Sequence, residues 1–137
     1  MAEFLDLLAN AAQKGEGRGC VVVTSSCASM HLCTNVDLTS YATSKAATDH
    51  LVGILAAKVG RFGIRVNGIN PGCTSRMKYV DVVFDTAMNP IGTQGNMFAN
   101  LFDKVPAGRA GTPEDIVGTV LYLCSKAGVY YLQIQLT

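Results

Sequence analysis

Two short runs of β-branched residues, CVVVT and IRVNGIN, are separated by a long segment with a helical pattern. The first run covers residues 20–24 and the second covers residues 64–70. Runs of this kind are typical of strands that are buried on both faces of a sheet. A strand, a helix and a strand within about fifty residues form a βαβ unit, with parallel strands and a right-handed crossover. The unit predicts an α/β fold.

Apolar spacing and capping residues predict three helices: one over residues 2–13, one that begins at Thr39 or Ser40, and one that Thr112 caps. Either Gly60 or Gly63 can end the second helix. Its apolar residues are expected to pack on the sheet: Leu51, Ile54, Leu55 and Val59. Residues 73–110 have a weaker pattern and are expected to form a functional flap with short helices.

Composition excludes several classes of function. The 137 residues suit one domain with a real core, and only 15% of them are charged. A formal net charge of +1 gives no long-range attraction to nucleic acid or to anionic lipid. No apolar run is long enough to span a bilayer, and the acidic start of the chain does not read as a signal peptide. We therefore expect a cytoplasmic protein that binds neither nucleic acid nor membrane.

The cysteines and histidines do not predict a metal site. The chain has five cysteines and no Cys-x-x-Cys pair, so most of them are expected to be reduced core thiols. His31 and His50 have no cysteine or carboxylate at ligand spacing apart from the adjacent Asp49. No metal is expected.

Tyr41 and Lys45 are four residues apart at the start of the predicted second helix, and therefore lie on one face. The positive end of the helix and the lysine charge both favour a phenolate, so this phenol is expected to be unusually acidic. Such a phenol can give a proton to a carbonyl oxygen or take one from an alcohol. The matching hydride step would require a cofactor.

A hydroxyl and a turn are expected at the same edge of the sheet. Ser26 follows the first strand, Tyr41 begins the next helix, and Pro71 and Gly72 follow the second strand. Ligands of open α/β sheets bind at the carboxyl ends of the strands, where these segments converge. Ser25 is the close competitor of Ser26 as the hydroxyl that holds the reacting oxygen.

The same Tyr-x-x-x-Lys spacing occurs again at Tyr122 and Lys126. This second pair lies late in the third predicted helix, where a lysine neutralises the negative helix end. We interpret it as structural.

Three segments in this order resemble the short-chain dehydrogenase/reductase family: GRGCVVVTSSCAS, SYATSKAATDHLVGILAAKVGRFGIRVNGINPG and PAGRAGTPEDIVGTVLYLCS. They are similar to the family's serine strand, its Tyr-x-x-x-Lys helix with the following Pro-Gly strand, and the helix after its substrate loop. The resemblance covers about two thirds of the chain. It implies that residues 1–137 form a single partial domain with a doubly wound, parallel-sheet Rossmann fold, and that the cofactor is NAD or NADP.

The resemblance also implies roles for individual residues. Ser26 would orient the substrate oxygen, and Tyr41 would be the general acid and base. Lys45 would make the phenol more acidic and bond the nicotinamide ribose. Pro71 and Gly72 would line the nicotinamide side of the pocket, together with Tyr41 and Lys45.

Three of this chain's departures from the family pattern concern the cofactor site and the final strand. It has no glycine-rich dinucleotide fingerprint, so the N-terminal βαβ half is expected to be missing. The end of the chain lacks the expected glycines, so the final strand is also expected to be missing. Arg76 stands where the family commonly has a threonine, and either Thr74 or Ser75 could replace that threonine; Thr74 is the predicted cofactor contact.

Two functions follow from these observations. The first is an oxidoreductase that interconverts a ketone and a secondary alcohol of small-molecule size by Ser-Tyr-Lys chemistry, as a possible homo-oligomer. The alternative is a truncated, catalytically inactive fragment, or a module that binds a partner protein and lacks the dinucleotide-binding half. A strand edge left unpaired by the missing half would favour such pairing.

Overall fold

The computed structural model describes residues 2–15, 17–30, 38–72, 111–131 and 135–136. The helices are α1 (Leu5–Gln13), α2 (Thr39–Val59) and α3 (Pro113–Cys124). The strands are β1 (Cys20–Thr24), β2 (Arg65–Ile69) and β3 (Gln135–Leu136). Short 3-10 turns cover Ala2–Phe4, Cys27–Ser29, Gly60–Phe62 and Lys126–Gly128. Among the described helices, none is long and apolar enough to cross a bilayer.

The strands form a parallel sheet in the order β1-β2-β3. Strand β1 pairs with β2 from Cys20 opposite Arg65 to Thr24 opposite Ile69, which confirms the predicted strand–helix–strand unit. The expectation that the final strand is missing was wrong, because β3 pairs with β2 at Gly68 and Ile69. Strand pairing needs only backbone N–H and C=O groups, so the loss of the expected glycines does not prevent it.

One face of the sheet carries the apolar core. Its buried residues are Val52, Val59, Ile64 and Val66. Helix α1 covers them with Leu8 and Ala12, and β1 adds Val21 and Val23. The expectation that the whole apolar stripe of α2 packs on the sheet was wrong, because Leu51 and Ile54 are exposed. The stripe is wider than the face that meets the sheet.

The opposite face of the sheet carries a buried arginine. Side chains alternate along a strand, so Arg65 points away from the Val66 core. Its guanidinium donates to the carbonyl oxygens of Gly17 at 2.8 Å, Leu123 at 2.9 Å and Gly128 at 2.8 Å. The Leu123 carbonyl belongs to the last turn of α3, where the helix end is negative. Arg65 therefore ties α3 and the Gly17 turn to the sheet.

The helix ends follow the predictions in part. Helix α2 has its N-cap at Leu38, so the expectation that Thr39 or Ser40 caps it was wrong. Both hydroxyl residues lie inside the first turn, because the helix begins at Thr39, which is one of the two predicted starts. At the other end Gly63 closes the chain reversal with a φ of 72°, which a residue with a side chain rarely adopts. Thr112 caps α3 as predicted, and its backbone N–H donates to Asp115 Oδ2 at 2.7 Å.

Gly128, in the turn after α3, is a glycine whose replacement should disturb packing and lower stability. A Cβ there would lie 2.6 Å from the Tyr122 oxygen and 2.7 Å from the Leu123 oxygen, both backbone atoms that cannot move alone. We expect Gly128→Ala to lower the free energy of unfolding by about 1–3 kcal/mol.

Gly118, in α3, is the matched control, because a Cβ there meets nothing within 4 Å. Gly118→Ala should raise the free energy of unfolding by about 0.5–1 kcal/mol, since alanine favours a helix interior. Urea unfolding followed by circular dichroism measures both variants. Equal midpoints for the two would contradict the packing described around Gly128.

Candidate active site

The carboxyl end of β1 is bonded to the carboxyl end of β2 on both sides of Ser26. The Ser25 N–H donates to the Ile69 oxygen at 2.8 Å, and the Cys27 N–H donates to the Pro71 oxygen at 3.0 Å. Ser26 is buried, and its Oγ accepts from the Ala28 N–H at 3.2 Å. Because that bond uses only a lone pair, the hydroxyl proton of Ser26 stays available for another acceptor.

Tyr41 and Lys45 share one face of the first turns of α2, as their spacing predicts. The Lys45 Nζ lies 5.6 Å from the centre of the Tyr41 ring. At this distance an ammonium group is attracted to an aromatic face. Both side chains are half-buried, so each keeps a solvent-facing part next to the other.

Ser25 joins the serine segment to the tyrosine–lysine helix. Its Oγ donates to the backbone oxygen of Lys45 at 3.1 Å. The Asp49 carboxylate is a second acceptor for the same hydroxyl. One hydroxyl proton serves one of these acceptors at a time. Ser25 is thus occupied by α2, and its position next to Ser26 brings the β1 end beside the Lys45 turn.

The predicted cofactor contacts Pro71 and Gly72 lie at this edge. Pro71 is half-buried, and its carbonyl oxygen accepts from the Cys27 N–H. Gly72 is exposed, and none of the described residues lies where its side chain would stand. Thr74 lies outside the described residues, as does the predicted flap over residues 73–110. The structure therefore brings five of the six predicted site residues to the carboxyl ends of β1 and β2 and the start of α2.

Sequence reasoning missed a buried polar cluster under this edge. The Asn70 Nδ2 donates to Asp49 Oδ2 at 2.8 Å and to Ser29 Oγ at 3.0 Å. Asp49 and Asn70 are only 8% and 1% exposed. The sequence carried only part of the signal: Asp49 follows Lys45 by four residues and so shares its helix face, but nothing indicated its distant donors.

The carboxyl group of Asp49 is more acidic than usual. Burial raises its pKa, but hydrogen bonds from Ser29, Ser25 and Asn70 and the charge of Lys45 lower it by more. The net effect is a lowered pKa, so Asp49 carries its negative charge at neutral pH.

The second Tyr-x-x-x-Lys pair has a different setting. The Tyr122 ring packs edge-on against the Tyr131 ring, with centres 5.4 Å apart. A side-chain hydrogen bond with Tyr131 raises the pKa of Tyr122, which disfavours proton transfer at neutral pH. This setting agrees with a structural role for the pair.

Metal ligands are sparse in the part of the chain that the structure describes. There, no group of three His, Cys, Asp or Glu side chains is placed to hold an ion. His50 is exposed on α2, and His31 lies outside the described residues.

Comparison with known proteins gives consistent matches over most of the chain. A family model described as Enoyl-(Acyl carrier protein) reductase matches residues 2–131. The 7alpha-hydroxysteroid dehydrogenase of Escherichia coli (strain K12) is 35% identical over 121 residues, which are 88% of this chain and 42% of that protein.

Solved structures agree with these matches. A 7alpha-hydroxysteroid dehydrogenase complexed with NADH and 7-oxo glycochenodeoxycholic acid is 32% identical with a TM-score of 0.64, over 92% of this chain and 46% of that one. The 3-ketoacyl-(acyl-carrier-protein) reductase of Brucella melitensis, complexed with NADH, shares the fold at 18% identity with a TM-score of 0.74, over 98% of this chain and 48% of that one. The chain spans less than half the length of these relatives.

Proposed function

The chain belongs to the short-chain dehydrogenase/reductase family of oxidoreductases, and on that premise we propose that it interconverts a ketone and a secondary alcohol with NAD or NADP. The proposal depends chiefly on one observation, the placement of the Lys45 ammonium 5.6 Å from the Tyr41 ring. The hydrogen bond from Ser25 to the Lys45 turn brings the Ser26 segment to the same place. On this proposal, the Tyr41 phenol, the Lys45 ammonium and the Ser26 hydroxyl act together on one substrate oxygen.

In the proposed mechanism each residue has one task. During reduction, Tyr41 gives its proton to the carbonyl oxygen, and the Lys45 charge stabilises the phenolate that forms. Ser26 donates a hydrogen bond from its hydroxyl to the same oxygen, keeps its own proton, and so holds that oxygen in place. During oxidation, the Tyr41 phenolate takes the proton of the alcohol.

The residues at this edge fit the ribose and nicotinamide of such a cofactor. Lys45 offers three N–H donors that suit ribose hydroxyls, and the exposed Gly72 leaves the approach beside it open. When bound, the nicotinamide supplies the hydride for reduction and accepts it for oxidation. Thr74 is the further contact that we propose on the side of Gly72. A 7alpha-hydroxysteroid dehydrogenase binds NADH and a 7-oxo bile acid, so cyclic ketones are the first substrates to test.

Cofactor titration tests the proposal. The chain has no tryptophan, so the nicotinamide fluorescence of NADH and NADPH is the signal to follow. We expect saturable binding of one of them, and a weakening of roughly tenfold in Lys45→Met, since a hydrogen bond from a charged donor is lost. Lys126→Met, the same change in the second Tyr-x-x-x-Lys pair, should bind as the parent does. An absence of saturable binding by the parent chain would reject the proposal.

A second candidate function is pairing with another protein. Within the described residues β1 has a neighbouring strand on one side only, and unpaired strand edges bind other chains. Exposed Leu51 and Ile54 on α2 offer an apolar face for a second copy. Size-exclusion chromatography of the chain, alone and with a full-length relative, tests this candidate. Unchanged elution as a monomer in both runs would exclude it.

A further inference from the structure

Asp49 lies one helical turn after Lys45, with its carboxylate turned into the protein rather than into water. A buried carboxylate is costly unless several donors satisfy it. Here Asn70 donates to Asp49 Oδ2 at 2.8 Å, and the nearby hydroxyls of Ser29 and Ser25 further favour the charged carboxylate. The cluster of Asp49, Asn70, Ser29 and Ser25 is therefore a specific arrangement around a buried carboxylate.

The partners of Asp49 come from two other segments of the candidate active site, the serine turn and the end of β2. Ser25 precedes Ser26 at the end of β1, and Ser29 ends the turn that Ser26 caps. Asn70 precedes Pro71 at the end of β2. Asp49 itself belongs to the helix of Tyr41 and Lys45. One side chain thus contacts all three segments that the chemistry requires.

We propose that Asp49 is a positioning residue, which holds the serine turn and the Pro71–Gly72 turn in register with the tyrosine–lysine helix. The proposal rests on the proposed function, because it concerns the geometry of that same site. An ionised carboxylate suits the task, since it accepts several hydrogen bonds at once and donates none. An amide at the same position keeps one acceptor oxygen, but it replaces the other with an NH2 donor and carries no charge.

Asp49→Asn tests the proposal, because it keeps the size of the side chain and removes its charge. We expect the turnover number for ketone reduction to fall about 10- to 100-fold, as small displacements of reacting groups do. The KM for the cofactor should change less than threefold, roughly, because Lys45, the proposed charged contact to the ribose, is unchanged. Asp6→Asn, the same change at an exposed position of α1, should leave turnover unaltered.

Rescue separates positioning from general stability. Adding Asn70→Asp to Asp49→Asn restores one carboxylate and one amide with their places exchanged. We expect the double variant to recover most of the lost turnover, roughly tenfold. A double variant no better than Asp49→Asn, or an Asp49→Asn variant with full turnover, would overturn the proposal.

If the parent chain reduces no ketone, that result counts against the proposed function alone. Amide hydrogen exchange still tests the positioning role of Asp49, because it requires no enzymatic activity. The Ser25 and Cys27 amides bond across to β2 and are expected to exchange at least about tenfold faster in Asp49→Asn. The amide of Val66, in the core, should keep its protection. Equal acceleration at all three positions, or none at Ser25 and Cys27, would contradict a positioning role.

Discussion

Replacing Tyr41 with phenylalanine should lower the rate of ketone reduction roughly 100- to 10,000-fold, the usual contribution of a positioned general acid. The substitution removes only the hydroxyl oxygen. The ring stays beside the Lys45 ammonium, 5.6 Å from its centre, so the packing of α2 should not change. The loss should appear in the turnover number, while the KM for the cofactor stays within a few-fold of the parent value.

Tyr122→Phe is the matched control for this experiment. Tyr122 stands in the same four-residue spacing from a lysine, but its ring packs against Tyr131 at the end of α3. We expect its activity to equal that of the parent. Steady-state assays of both variants with NADH and NADPH measure the difference. Similar losses in the two variants would mean that Tyr41 has no special role.

Replacing Arg65 with methionine should lower the free energy of unfolding by at least about 3 kcal/mol. The guanidinium is 2% exposed and satisfies the carbonyl oxygens of Gly17, Leu123 and Gly128. Methionine fills much of the volume but donates nothing, so these carbonyl oxygens lose their charged donor. Hydrogen bonds to charged groups each contribute about 1.5–3 kcal/mol. Urea unfolding of the variant measures the loss.

Arg61→Met provides the comparison for Arg65. Arg61 is exposed and lies over the Phe62 ring, with 4.7 Å between the guanidinium carbon and the ring centre. Contacts of this kind at the surface contribute about 0.5–1 kcal/mol, so the loss should be correspondingly small. If the two variants unfold at the same urea concentration, the carbonyl cluster around Arg65 does not stabilise the fold as described.

Local pattern was enough to predict the elements that position the site. The β-branched run at Cys20–Thr24 and the helical spacing from Thr39 to Val59 reflect backbone preferences that act within a few residues. The shared face of Tyr41 and Lys45 follows from helix geometry alone. The start of α2 at Thr39 was predicted, but its N-cap at Leu38 was not, because capping depends on backbone geometry as well as on residue type.

Contacts between distant segments could not be predicted from the sequence. Arg65 reads as an ordinary strand residue, and its burial depends on carbonyls more than forty residues away. Asp49 reads as a polar residue on a helix, and its donors come from two strand ends. Strand β3, of two residues, was predicted to be absent because the end of the chain lacks the expected glycines. Strand pairing uses backbone groups, so it does not require them. The assigned roles of Ser26, Tyr41 and Lys45 stay predictions.

Hydride transfer from nicotinamide-deuterated NADH and NADPH is the most direct measurement of the central claim, that Ser26, Tyr41 and Lys45 form one proton-transferring site. The parent chain should convert a 7-oxo bile acid or another cyclic ketone into a secondary alcohol with deuterium on the carbinol carbon, detected by mass spectrometry. Tyr41→Phe should give little labelled alcohol in the same time. No labelled alcohol from the parent with any ketone tested, or equal labelling by both proteins, would contradict the account.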